Sequence, residues 1–483
     1  MSPAPKKKED RMPLPTFEKL LPLLLTGILC LTSGNVPAGE ASRQSPARAG
    51  HAVTLRDTVQ GVLRHHRALK SAKEERRALR QDLRQAQAGF GPRVDVVGET
   101  GAGVMNDATA RAAHMERDWL SVNTLSAQLV QPVWDGFATR SRVRMAQSAL
   151  DAASARVLDT STNLALNAIV AHIDLLRSIR LCDLARANVR RHEEILAQSH
   201  ERLALGADSQ ADVTQAQSRL SRAQSSLAEA EAGLRTARAT YARLTGLSAS
   251  HLEEAALPAG MPDSAAALLA LAEKHNPALA ACLHEIRRAR GEKELQESGM
   301  YPSFQLEAGP AYSDRGGRNE RWVSSFDVLA TMRWNLFNSG ADAAAVRAAS
   351  ARERAARQNF YDYMDSLRLD MESTWHSYQA AREQYARYTD AVAFNQRTCQ
   401  AYQQQFLLGT RSLLDVLDSE TELYTSSSQA ETARGNILIG AYRLVALAGD
   451  LLPRLKIPED MLSADPAPAP QVPGEEHDLG WFK

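Results

Sequence analysis

Apolar residues recur at every seventh position over two long stretches of this chain, and this periodicity constrains the fold more than any other feature. In the first stretch, residues 138–203, the pattern is interrupted once by a step of four residues at Ala168. A sustained heptad is typical of a coiled coil, and four inserted residues locally unwind the supercoil. The sequence therefore predicts a mostly α-helical protein. The heptad positions are Val143, Leu150, Val157, Leu164, Leu175, Cys182, Val189, Leu196 and Leu203.

The same pattern returns when 203 is added to the residue numbers, which indicates an internal repeat. Gly409 corresponds to Gly206 and Gly449 to Gly246, and the apolar heptad recurs in register. Each repeat has the pattern of a helix, a β-hairpin, a long helix and a further helix. We assign residues 52–246 to repeat 1, 247–263 to a linker, 264–450 to repeat 2, and 451–483 to a C-terminal tail rich in proline and alanine, of which residues 464–483 are expected to be flexible.

Helix lengths predict how each repeat is arranged. The long helix over residues 138–203 spans roughly 100 Å. Residues 52–88 and 209–246 are predicted to form two helices of roughly 55 Å each. Stacked end to end, these two match the long helix, so each repeat supplies one continuous and one broken helical strut.

Four segments alternate polar and apolar residues, which predicts β-strands with one apolar face. Such ribbons are typical of outer-membrane barrels. No run of 18 apolar residues follows the N-terminal region, so a membrane role would have to use these strands. Four strands cannot close a conducting barrel, so several chains must share one. The alternative is a soluble sheet that covers a core. The strands are residues 92–104, 119–134, 302–313 and 322–337, with Trp119, Trp134, Trp322 and Trp334 placed as membrane-interface aromatics.

The N-terminus has the pattern of a secretory signal peptide. Lysines 6–8 precede an apolar run over residues 20–31, which is too short to span a bilayer. Small residues near Ala38 offer a cleavage site. We assign residues 1–38 to the signal peptide and 39–51 to an N-terminal segment. An uncleaved anchor helix and a lipid anchor on Cys30 are the less favoured alternatives.

Composition and motif searches exclude several function classes. Lysine plus arginine and aspartate plus glutamate both total 57, so no basic excess indicates nucleic acid. The chain has no phosphate-binding loop, nucleophile elbow or zinc-protease motif. Cys182, Cys282 and Cys399 are isolated, which indicates neither a disulfide framework nor a metal site. We expect no enzyme activity, cofactor or metal.

The turn at Gly409 is followed by a compact polar motif. Glycine tolerates the left-handed conformation at a helix C-terminus, and Thr410 or Ser412 can cap the next helix. Asp415 and Asp418 follow three residues apart on one face of that helix. Two carboxylates there suit the positive end of the helix dipole, which is the ordinary structural interpretation.

This stretch closely resembles the periplasmic tip of the TolC family of outer-membrane efflux and secretion channels. The resemblance implies a homotrimer in the bacterial outer membrane, with a shared twelve-stranded transmembrane β-barrel continued by an α-helical coiled-coil periplasmic tube. It also implies contacts with outer-membrane lipid, a periplasmic adaptor protein, and an inner-membrane ABC exporter or other pump. The matching residues are Gly409, Thr410, Arg411, Asp415, Val416, Leu417, Asp418, Leu423 and Tyr424.

The resemblance also implies roles for individual residues. Asp415 and Asp418 would form two carboxylate rings at the constriction, and Arg411 would help to lock it shut. Asp212, after the first turn, matches a lock residue and is placed to pair with Arg411. Phe406 stands where the family can have a tyrosine, so the closed state is expected to depend more on the arginine. The expected adaptor docking points are Gly206, Gly409 and Thr410.

Three functions fit the sequence. The preferred one is a passive, gated exit duct for type I protein secretion, because the tip motif is intact and no lipid anchor is indicated. The second is an outer-membrane factor for multidrug or small-molecule efflux. The third is a periplasmic coiled-coil scaffold without a pore, which does not explain two hairpins placed identically in both repeats.

Overall fold

The computed structural model describes residues 52–104, 106, 108–112, 114, 117–247, 251–315, 323–458 and 461–462. The predicted signal peptide, the segment 39–51, Trp322 and the tail beyond residue 462 lie outside these described residues. Within the described part, no helix is both long enough and apolar enough to cross a membrane.

Both repeats contain two short helices, a β-hairpin, a 67-residue helix and a second long helix. Repeat 1 comprises α1 (Leu55–His65), α2 (Arg67–Ala88), β1 (Arg93–Val104), α3 (Ala108–Ala112), β2 (Trp119–Trp134), α4 (Ala138–Ala204) and α5 (Gln210–Thr245). Repeat 2 comprises α6 (Ala265–His275), α7 (Pro277–Ser298), β3 (Ser303–Arg315), β4 (Val323–Arg333), α8 (Ala341–Leu407) and α9 (Leu413–Leu447), and α10 (Leu451–Arg454) follows.

The single helix predicted over residues 52–88 is wrong, because the backbone at His66 is extended and divides it into α1 and α2. The His66 ring accepts a hydrogen bond from the Ala68 N–H at 3.3 Å, which caps α2. Asn276 does the same between α6 and α7, accepting from the Leu279 N–H at 3.0 Å. The proline at position 277 adds a second reason there, since a residue before proline disfavours the helical conformation.

The long helices bury the predicted heptad positions. Cys182 and Cys399 are buried, as their places in the heptad predict. Burial of these apolar side chains supplies the main stabilisation of the helix pairs, at about 25 cal/mol per Å². The buried heptad residues include Val157, Leu164, Ala168, Leu175 and Val189 on α4, and Leu367, Met371, Tyr378 and Phe406 on α8.

Beyond residue 450, the residues that the structure describes, 451–458 and 461–462, contribute contacts to the helices. Lys73 of α2 donates a hydrogen bond to the Met461 carbonyl at 2.6 Å. Three apolar side chains of this segment join a core cluster with α1, α4 and α9. These side chains are Leu451, Leu452 and Ile457.

A buried hydrogen-bond network connects α1 and α5 to the linker through His172 of α4. His172 Nε2 lies 2.9 Å from the Glu253 carbonyl oxygen, and Nδ1 lies 3.0 Å from the Thr58 hydroxyl. That hydroxyl lies 2.8 Å from the hydroxyl of Tyr241. Burial lowers the pKa of His172, against the opposing effect of the Glu253 carbonyl. We assign the ring proton to Nε2, because a carbonyl only accepts.

The two hairpins form one antiparallel sheet in the order β1-β2-β3-β4. β2 and β3 come from different repeats and pair with each other, so the sheet joins the two halves of the chain. β4 ends at Arg333 rather than at residue 337, because its partner strand begins opposite it at Ser303. Trp334 therefore follows the strand, and its indole N–H donates to the Met300 carbonyl at 3.1 Å.

Of the four tryptophans predicted at the membrane interface, two more that the structure describes lie at opposite ends of β2. Trp119 begins the strand and is highly exposed. Trp134 ends it and packs edge to face on Phe137 and Tyr301, with ring centroids 6.0 and 6.3 Å apart. These tryptophans lie near strand ends, as the sequence predicts. Their contact with a membrane interface stays a prediction.

Candidate functional site

Two sharp turns end the long helices, with Gly206 between α4 and α5 and Gly409 between α8 and α9. Their φ angles are +73° and +75°, a left-handed conformation that glycine adopts without steric cost. At the second turn the Thr410 N–H and hydroxyl both donate to the Gln405 carbonyl, at 2.9 and 3.0 Å. These bonds satisfy a carbonyl that the helix end leaves without a partner.

Serine and aspartate cap the helix that follows each turn. At the first turn, Ser209 Oγ accepts from the Asp212 N–H at 3.2 Å, and the Asp212 carboxylate accepts from the Ser209 hydroxyl and N–H at 2.6 and 3.0 Å. The Ser209 side chain first, and its backbone second, hold the pKa of Asp212 below its usual value. At the second turn, Ser412 and Asp415 repeat the side-chain contact at 2.7 Å. Asp212 therefore completes a capping box, whereas, of its capping serine, the Asp415 carboxylate contacts only the hydroxyl.

Arg411 lies between Asp415 and an aromatic ring. Its Nε is 3.5 Å from Asp415 Oδ2, and its guanidinium carbon is 3.9 Å from the centroid of the Tyr402 ring. A cation over an aromatic face is stabilised by the ring quadrupole. Within this chain Arg411 does not contact Asp212, which is held in its own helix cap. The pairing of Arg411 with Asp212 inside one chain is therefore not formed.

Arg202, which the sequence analysis did not single out, connects the two turns. Its Nε donates to Asp208 at 2.9 Å, next to the first turn, and its Nη1 donates to the Phe406 carbonyl at 3.2 Å, next to the second. The guanidinium carbon lies 4.5 Å from the centroid of the Phe406 ring. The repeat offers no signal for this contact, because the equivalent position in repeat 2 is Gln405.

Phe406 is a core residue of the tip. Its side chain is buried in a cluster that joins the ends of α4 and α8 to the start of α9. It therefore contributes packing and a backbone acceptor where the resemblance offers a tyrosine hydroxyl. The other buried members of the cluster are Ile195, Ala216, Leu413, Val416 and Leu417.

Asp418 forms an ion pair within its own chain. Arg219 of α5 places Nη2 2.6 Å from Asp418 Oδ1. Arg219 was also absent from the sequence-based assignments, because Asp418 is 199 residues away along the chain. The pair connects α5 to α9 about two to three helical turns beyond the two caps.

A second ion pair lies further from the turns. Arg191 of α4 donates to Glu420 at 2.7 Å and contacts Gln403 of α8. Burial lowers the pKa of the neighbouring His192, although the charge of Glu420 opposes that change. These contacts join α4, α8 and α9 on the side of the turns that faces the rest of the helices.

The structure thus gathers most of the predicted tip residues at one place. Arg411, Asp415 and Phe406 surround the second turn, Asp212 caps the helix after the first, and Asp418 joins the two helices that leave the turns. Whether Asp415 and Asp418 face a pore stays a prediction. Within the part of the chain that the structure describes, no cluster of histidine, cysteine or acidic residues has the arrangement of a metal site.

Replacing Arg202 by alanine is expected to loosen the two turns, because the largely buried Asp208 carboxylate loses its cation and the Phe406 carbonyl loses a donor. Hydrogen bonds to charged groups contribute about 1.5–3 kcal/mol. Amide hydrogen exchange near residues 203–208 and 405–410 should accelerate by a corresponding factor, on the order of tenfold or more.

The matched control is Arg222→Ala, which removes the same side chain from an exposed position of α5. Exchange near the turns should stay at the wild-type rate in that variant. Equal exchange rates in the two variants would show that Arg202 does not hold the turns together.

Comparisons with known proteins match both repeats of the chain. The model of the outer membrane efflux protein family matches residues 58–247 and 268–450, one segment in each repeat. The chain is 23% identical over 430 residues to the outer membrane efflux protein BepC of Brucella suis, which covers 88% of this chain and 90% of BepC.

Two further similarities concern secretion and fold. The chain is 27% identical over 420 residues to the alkaline protease secretion protein AprF of Pseudomonas aeruginosa, covering 83% of this chain and 85% of AprF. Its fold is similar to the crystal structure of the outer membrane protein VceC of Vibrio cholerae, with a TM-score of 0.71 at 16% identity over 82% of this chain and 96% of VceC.

Proposed function

Because the chain belongs to the outer membrane efflux protein family, we propose that it forms the outer-membrane exit duct of an envelope-spanning export system. It is an outer-membrane channel protein, and the predicted location and fold class, an α-helical tube with a β-barrel, are confirmed. The relatives are efflux and secretion channels, which supports a non-enzymatic role.

Three copies share one barrel in this proposal. The four-stranded sheet has β1 and β4 as its two edges, and unpaired edges are not tolerated in lipid. The sheet also exposes large apolar side chains, as a lipid-facing surface does. Twelve strands from three chains would remove every edge. The exposed residues include Val94, Val96, Phe326, Val328 and Met332.

Within this role we favour export of a protein substrate by a type I system. The observation that carries this choice is the similarity to AprF, which is named for alkaline protease secretion and matches most of both chains. The partners would be a periplasmic adaptor at the two turns and an inner-membrane ABC exporter. Similarity to BepC, named as an efflux protein, supports the second candidate, a small-molecule efflux duct served by another pump.

Deletion of the gene distinguishes the two candidates. For protein export, the deletion strain should lose a secreted protein from its culture medium and regain it on complementation. Its susceptibility to antibiotics and dyes should stay close to that of the parent. A deletion strain that becomes drug-sensitive while its secreted proteins are unchanged would favour the efflux duct instead.

Single-channel current through the detergent-purified protein in a planar bilayer tests the channel itself. We expect a small cation-selective conductance, because carboxylates at a constriction select cations. The double variant Asp415→Asn/Asp418→Asn should conduct more or lose selectivity. Unchanged current in the variant would move the constriction elsewhere, and no current from folded wild-type protein would favour a periplasmic scaffold.

A further inference from the structure

The two aspartates of the proposed constriction differ in how well each is neutralised within its own chain. Asp418 contacts Arg219 at 2.6 Å, which is a close charge-assisted hydrogen bond. The Arg219 side chain is only 23% exposed, whereas that of Asp418 is 54% exposed. The guanidinium is therefore held against the packed helices, and the carboxylate projects further into solvent.

Asp415 has a weaker cationic partner. The Arg411 Nε lies 3.5 Å from its carboxylate, which is longer than a charge-assisted hydrogen bond, and the Arg411 guanidinium also lies over the Tyr402 ring. The nearest hydrogen bond to the Asp415 carboxylate comes from the neutral Ser412 hydroxyl, at 2.7 Å. Asp415 thus lacks the close charge-assisted hydrogen bond that Asp418 has, although Arg411 lies within ion-pair distance of it.

The Arg219–Asp418 ion pair has no counterpart in which the two repeats exchange roles. The position equivalent to Asp418 in repeat 1 is Gln215, and the position equivalent to Arg219 in repeat 2 is Glu422. A neutral amide and a carboxylate cannot form the reciprocal ion pair. Each chain therefore supplies one such compensating arginine to the tip, and it comes from α5.

We propose that Arg219 limits the cation selectivity of the constriction by neutralising Asp418. The inference rests on the proposed channel function, in which both aspartates face the pore. It replaces the expectation of two uncompensated carboxylate rings, because the charge of the Asp418 ring is offset by an arginine of the same chain. Fixed charges act over about 10 Å at 0.1 M salt, so a paired arginine this close cancels most of the Asp418 field.

The reversal potential across a potassium chloride gradient measures this charge directly in the detergent-purified full-length protein. Arg219→Gln should shift it towards the potassium equilibrium potential, because Asp418 becomes uncompensated. Arg219→Lys should keep the wild-type value, since it retains the cation. Asp418→Asn should shift it the opposite way, and Arg219→Gln/Asp418→Asn should return close to wild type.

Arg238→Gln is the matched control, because it removes the same charge from an exposed position of α5 about 28 Å further along the helix. It should leave the reversal potential unchanged. Should Arg219→Gln alone not assemble, the comparison of Asp418→Asn with Arg219→Gln/Asp418→Asn carries the test, because these two variants differ only in the charge of Arg219. Wild-type selectivity in Arg219→Gln and Asp418→Asn, while Asp415→Asn is altered, would overturn the role of Arg219. Absence of current in every folded variant would instead overturn the channel function.

Discussion

Replacement of Gly309 by alanine is expected to prevent the two hairpins from joining into one sheet. A Cβ at this position of β3 would lie 2.9 Å from the Ala127 carbonyl carbon on β2 and closer still to its oxygen. That neighbour is backbone in a paired strand, so it cannot move aside without separating β2 from β3. Overpacking of this kind costs about 1–3 kcal/mol or more.

The expected result is a strong loss of assembled protein from the outer membrane, measured as the folded oligomer on a semi-native gel of membrane fractions. Gly101→Ala is the control, because no atom lies within 4 Å of a Cβ at that position of β1. It should assemble like wild type. Equal amounts of assembled Gly309→Ala and Gly101→Ala would contradict the close approach of β2 and β3.

A second large loss of stability is expected for Gly449→Ala, at the glycine that follows the last long helix. Gly449 has a φ of +76°, and a Cβ there would lie 2.8 Å from the Asn276 backbone nitrogen and closer to the His275 carbonyl oxygen. Asn276 caps α7, so the clash disturbs the break between α6 and α7. Left-handed strain of roughly 1–2 kcal/mol and overpacking of about 1–3 kcal/mol should act together.

Gly246→Ala separates these two contributions. Gly246 is the equivalent glycine of repeat 1 and has a φ of +68°, but the nearest atom to a Cβ there is 4.0 Å away. Thermal unfolding of the purified variants is followed by circular dichroism. The midpoint temperature should fall slightly for Gly246→Ala and clearly more for Gly449→Ala. A loss of the same size in both would mean that strain alone matters and that the contact with His275 relaxes freely.

The sequence alone determined the features that depend on neighbouring residues. The heptad with its step at Ala168 defined the long helices, and alternation located the strands to within a few residues. Glycine marked both turns and serine the second, since Gly206 and Gly409 have positive φ and Ser412 caps the next helix. Each of these signals is local, because backbone sterics and side-chain periodicity act over one or two turns of chain.

Only the tertiary structure decided which residues of the two repeats meet. Arg202 reaches Phe406, and Arg219 reaches Asp418, across about two hundred positions of sequence. Neither contact has a counterpart in the other repeat, so periodicity carries no trace of it. The close approach of the β2 backbone to Gly309 could not be predicted either, since a glycine in a strand does not indicate which residue lies next to it. Ion pairs and backbone clearances depend on the mutual placement of helices and strands, and that placement is set by packing of the whole core rather than by any local pattern.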